Sequence, residues 1–158
     1  MSAAIITASA LSLVGLIASF MLGYLPVTLD GLPHAGLAIF VTLVTLFTHC
    51  MAMFYLIGKG RAVRDAISEG ELISDAGSRV SALRAPVFKL SSLAIALTMV
   101  TGIIGGGVDT GVLPGLLHAT LALVAIVANS AAFWRISMAL NESSRIVAEV
   151  NRDLGISQ

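Results

Sequence analysis

The sequence predicts an all-α integral membrane protein, a four-helix transmembrane bundle built from two parallel-repeat helical hairpins, with helices 2 and 4 extended into the cytoplasm. Three observations carry this reading. The 158-residue chain is 57% hydrophobic and 11% charged, whereas a soluble domain is about one-quarter charged. It holds four apolar runs, each near the ~20 residues that cross ~30 Å of hydrocarbon. All nine Lys and Arg residues fall on one side of those runs.

The runs occupy Ala4–Leu25, Ala35–Ile57, Val87–Val108 and Val112–Trp134. The first lacks the basic n-region of a signal peptide, since only Met-Ser-Ala-Ala precedes it, and reads as a true first span. Lys59, Arg61, Arg64, Arg79, Arg84 and Lys89 cluster between spans two and three, and Arg135, Arg145 and Arg152 follow span four. The other two connections, Gly23–His34 and Gly105–Leu113, carry only Asp30 and Asp109. Basic residues stay on the cytoplasmic side. Both termini and the central loop are therefore expected in the cytoplasm, in a plasma or inner membrane.

The chain reads as one membrane domain, 1–158, with a first repeat over about 1–69, a cytoplasmic loop over about 59–86 and a second repeat over about 87–154. An offset of 84 residues aligns the halves without a gap. His34-Ala35 falls on His118-Ala119, Leu37-Ala38 on Leu121-Ala122, and Arg61 and Val63 on Arg145 and Val147. Both halves run in–out–in, so they form a parallel repeat about the membrane normal. Spans two and four are then counterparts, with His34 and His118 at matching depth near the outer face. Gly70, Asp75-Ala-Gly77 and Pro86 break the central loop before span three. In the tail Leu140, Val147, Val150 and Leu154 recur at helical spacing, a face for the chain itself or a partner to cover.

On a helical wheel from His34, Ala38, Thr42, Thr45, Thr48, His49 and Ala52 share a face; from His118, Ala122, Ala125, Asn129 and Ala132 do the same. Small and polar stripes of this kind also serve plain helix contact, since they let membrane helices approach and hydrogen-bond. Gly102 and Gly106 form a further small-xxx-small pair. Cys50, the single cysteine, excludes an intramolecular disulfide and reads as a packing residue.

Two imidazoles from opposing helices at one depth, with small residues beneath them, are what a b-type haem requires. The candidate haem site is His34 and His118 as axial ligands, with Ala38 and Ala122 making room for the ring. The same two histidines with Asp30 and Asp109 make a second candidate, a Zn or Cu site at the outer face. His49 lies fifteen positions beyond His34, or ~22 Å along a helix at 1.5 Å per residue, and cannot share a metal with the other two. With Arg135 and Tyr55 it forms a candidate quinone-headgroup site.

No phosphate loop, nucleotide fingerprint or nucleophile–base pattern is present. Zero net charge argues against nucleic acid as a partner. The leading expectation is a small electron-transfer subunit carrying one bis-histidine haem near the outer leaflet. The alternative is a non-redox assembly subunit that docks a partner through its cytoplasmic helices, or a quinone- or metal-binding subunit. Lipid surrounds it in either case, with other subunits of a complex or further copies of the chain as partners.

Overall fold

The computed structural model describes residues 1–24 and 34–156. Among these the chain forms four helices and no strand: α1 Ser2–Leu22, α2 His34–Glu69, α3 Ala76–Asp109 and α4 Gly115–Asp153. Each is long and apolar enough to cross a membrane. The expected span boundary Leu25 and the candidate ligand Asp30 lie outside the described residues.

Much of the buried surface of each helix is small or polar, and many large apolar side chains turn outward. On α1 the buried positions are Ile5, Ser9, Ser12 and Ser19, while Leu11, Val14, Ile17 and Met21 are exposed. In water this would be inside out. In lipid it follows from the solvent, because tails are as apolar as leucine and helices associate through close packing and hydrogen bonds. The α2 seam runs Val41, Thr45, Thr48, Ala52, Leu56, Gly60, Val63, and the α4 seam Ala125, Asn129, Ala132, Ile136, Leu140, Ser143, Ile146, Val150. Both keep the three-and-four spacing that holds one face against neighbours.

Helix α1 touches α2 and α4 but not α3, whereas α2 and α4 meet across the bundle. The core grades along its length. At the basic end Val63, Ala76, Val80, Ile146 and Val150 pack together. Ile5, Leu56, Val87, Ile136 and Leu140 follow, and then the alanines Ala94, Ala128 and Ala132. Towards the histidine end the small residues no longer fill the space between helices, and a cavity opens.

The central connection differs from expectation. Helix α3 begins at Ala76, with Pro86 inside it, so the break expected at Gly70, Asp75-Ala-Gly77 and Pro86 narrows to the few residues between α2, which ends at Glu69, and α3. Proline deprives a helix of one amide donor and disfavours helical geometry at the preceding residue. Burial outweighs that here: Val80 and Val87, one on each side of Pro86, are essentially inaccessible. Helix α2 stops with Leu72 N–H donating to the Ile67 carbonyl at 3.0 Å, around Glu71 at φ +51°. This is the Schellman pattern, with glutamate in the left-handed position usually held by glycine. Gly111 (φ +73°) ends α3 in the same way, with Val112 N–H on the Gly107 carbonyl at 2.9 Å.

The tail face is covered by the chain's own helices. Leu140 and Val150 are buried, and Val147 and Leu154 pack beside Val63 and Val80. Arg79 of α3 adds a fork onto Glu149 of α4, at 2.9 and 3.1 Å. The hydrogen bond and charge of Glu149 raise the pKa of that guanidinium above its already high ordinary value.

Candidate functional site

His34 and His118 come together. His34 opens α2 and His118 lies in the first turn of α4; their ring centroids are 6.5 Å apart, with planes at 76°. Each ring rests against a glycine, Gly23 just beyond the end of α1 and Gly105 within α3. An added Cβ at Gly23 would lie 3.2 Å from His34 Cε1, and one at Gly105 only 2.9 Å from His118 Cε1. Any larger residue would push the rings. His118 Nδ1 lies 3.1 Å from the Thr101 carbonyl. A carbonyl can only accept, so Nδ1 carries the proton and Nε2 keeps its lone pair. His34 Nδ1 is buried, with no hydrogen-bond partner among the described residues.

The two rings border a cavity of about 650 Å³, within the range of cofactor and small-molecule sites. Ala38 and Ala122 line it, as do Ala35 and Ala119, their neighbours in the repeat. The four residues expected for a haem site are thus brought to one space. Gly102 and Gly106 line it as well, and an added Cβ at either meets nothing within 4 Å. This corrects the close-contact reading of that pair: the two glycines widen a cavity instead of joining helices. The role was partly legible, because positions 98, 101, 102, 105 and 106 share one helical face with the glycines at its outer end. Gly23 gave no comparable signal, since its contact with His34 exists only in three dimensions.

His49 is 4% exposed and belongs to a separate polar cluster. Its Nε2 lies 2.8 Å from Asn129 Oδ1, and Asn129 Nδ2 reaches Thr98 Oγ1 at 2.9 Å and the Ala125 carbonyl at 2.8 Å. The residues expected with His49 have other surroundings. Tyr55 OH lies 3.1 Å from Ser2 Oγ, and its ring sits under Lys59 Nζ at 5.4 Å, while Arg135 is exposed. No hydrogen bond or ion pair among the described residues joins His49, Tyr55 and Arg135. For the Zn or Cu candidate, no three His, Cys, Asp or Glu side chains converge among the described residues. Asp109 lines the cavity without completing such a set.

A bis-imidazole haem makes a smaller demand, because the macrocycle supplies the other four ligands. Two in-line metal–imidazole bonds of about 2 Å, with the ring radii added, separate the centroids by roughly 6 Å. The 6.5 Å between the ring centroids is compatible with that spacing, and the small residues lining the cavity leave room for the group. No family model, no curated protein and no solved structure matches this chain.

Proposed function

We propose that the protein is a small membrane electron-transfer subunit of b-type cytochrome character, with His34 and His118 as the axial ligands of one haem. The observation that carries this reading is a pair of imidazoles from two helices, 6.5 Å apart, on a largely apolar cavity. Held by these two side chains, haem would supply one-electron transfer chemistry. The chain's own contribution is orientation and exclusion. The Thr101 carbonyl holds His118 with Nε2 free, and such outer partners set a ligand's tautomer and basicity. Ala38, Ala122, Gly102 and Gly106 leave room, and the surrounding helices keep bulk water away.

The distribution of Lys and Arg supports an orientation with both termini and the α2–α3 turn in the cytoplasm, and the histidines near the outer leaflet. Helices of 36, 34 and 39 residues span about 50–60 Å at 1.5 Å per residue, so α2, α3 and α4 project beyond ~30 Å of hydrocarbon. The two hairpins are read as a duplicated unit. Electron donor and acceptor would be partner subunits or lipid-soluble carriers reaching opposite faces.

The test is an absorption spectrum of detergent-purified protein expressed with ample haem, oxidised and then dithionite-reduced. A low-spin six-coordinate spectrum is expected, lost in His118→Ala and in His34→Ala while the chain still inserts in the membrane. Gly102→Leu should block incorporation by filling the cavity. Absence of a Soret band from the wild-type protein would overturn the proposal.

A further inference from the structure

The His49 cluster has a property that follows from counting donors and acceptors. The Ala125 carbonyl can only accept, so the Asn129 atom 2.8 Å from it must be the amide nitrogen. Both amide hydrogens then go to Ala125 and Thr98, and Oδ1 faces His49. Neutral His49 must therefore carry its proton on Nε2. Its Nδ1 holds a bare lone pair, buried and without a hydrogen-bond partner among the described residues.

His49 also lines a cavity of about 10 Å³ with Ser9, Ser12, Thr45 and Thr48, room for about one water. Each of these hydroxyls has the carbonyl four residues back as acceptor, at 2.7–2.8 Å. Their protons are taken, so they offer oxygen lone pairs to the space between. Among the described residues, four hydroxyl oxygens whose protons are engaged line this void beside His49, and the one contact between them, Ser12 Oγ to Thr48 Oγ1, is long at 3.5 Å. The remaining lining residues, Leu13, Asn129 and Phe133, add no free donor. No charged side chain from α1, α2 or α4 lines it, and Thr98 of α3 approaches only through Asn129.

We propose that His49 is a proton-binding site: Nδ1 takes a proton from water, and the new N–H donates to one cavity water that bridges to the Ser and Thr oxygens. One N–H bond forms, nothing is oxidised, and the imidazolium gains the donors that the site lacks. Asn129 remains an acceptor for Nε2–H in both states. Thr98 and Ala125 also line the His34–His118 cavity, so the cluster abuts the proposed cofactor space. Resting on the cytochrome reading, one consequence follows. Reduction by a one-electron donor adds negative charge within the bundle, and His49 binds its proton more tightly in the reduced protein.

The full-length protein in lipid nanodiscs, labelled with ¹⁵N-histidine, tests the site whether or not haem is bound. At alkaline pH the His49 signals, assigned by their loss in His49→Gln, should show the Nε2–H tautomer, and Nδ1 should protonate as pH falls. Thr48→Val should weaken proton binding roughly tenfold, the usual worth of a hydrogen bond to a charged group. An Nδ1–H tautomer, no second protonation before unfolding, or an unmoved titration in Thr48→Val would overturn the site. In haem-loaded protein the midpoint potential should fall as pH rises through the window between the two proton affinities, and stay flat in His49→Gln. A low-spin spectrum with a pH-independent potential would overturn the coupling alone. Absence of that spectrum would overturn the cytochrome reading and leave the ¹⁵N titration to decide the proton site.

Discussion

At the scale of single residues, the site depends on glycines as much as on histidines. Gly105→Ala would bring a methyl group within 2.9 Å of His118 Cε1, and the ring must turn or retreat. The expected outcome is a protein that still inserts but binds haem weakly or with altered low-spin character, read from its absorption and EPR spectra. Gly106→Ala meets open space and should change the spectrum little. The 76° between the rings makes a separate prediction. Near-perpendicular imidazoles leave the iron orbitals almost degenerate, so the ferric protein should show a highly anisotropic low-spin EPR signal. A rhombic signal would mean that the rings turn parallel on binding. Glu71 offers a test away from the site. Its left-handed backbone suits glycine, so Glu71→Gly should stabilise the bundle by about 1 kcal/mol, measured by denaturation in detergent.

Among elements, α3 departs most from the pattern legible in the chain. Pro86 and the charged stretch before it read as loop, yet α2 and α4 already extend beyond their apolar runs and need a third helix to bury their inner faces. Val80 supplies that contact and is inaccessible, whereas the neighbouring Arg79 is over a third exposed and bonded to Glu149 at the surface. Val80→Asp should cost about 3 kcal/mol or more, because it buries an unpaired charge. Arg79→Met should cost far less, since exposed ion pairs contribute little. Equal sensitivity in a denaturation series would mean that the ion pair, and not the apolar seam, joins α3 to α4. The raised pKa of Arg79 gives any pH effect its sign: the stabilisation is fully present below the unfolded guanidinium value and is lost only as pH rises through the higher folded one. Neutral and acidic conditions leave this guanidinium charged.

For the whole molecule, the testable matter is which end faces out. On a Cys50→Ala background, a cysteine at Ser74 in the α2–α3 turn should resist an impermeant label in sealed cells, and one at Thr110 in the α3–α4 turn should react. The reverse result would invert the orientation and put the His34–His118 cavity at the cytoplasmic leaflet. The bundle also divides its work along its axis. Large side chains such as Leu56, Ile136 and Leu140 close the middle of the core, and alanine and glycine leave it open at the histidine end. Rigidity and space are thereby separated in one short chain.

The sequence by itself determined the four spans, because hydrocarbon thickness and the placement of Lys and Arg act on composition, residue by residue. It also determined that His34 and His118 lie at one level and that His49 lies elsewhere, because helical rise converts residue number into depth. Only the tertiary structure decided what each of them touches. The Gly105 seat, the donor-free surroundings of His49 and the helical state of Ala76–Pro86 depend on how far neighbouring helices stand apart. That separation is a property of packed pairs, which no single helix encodes.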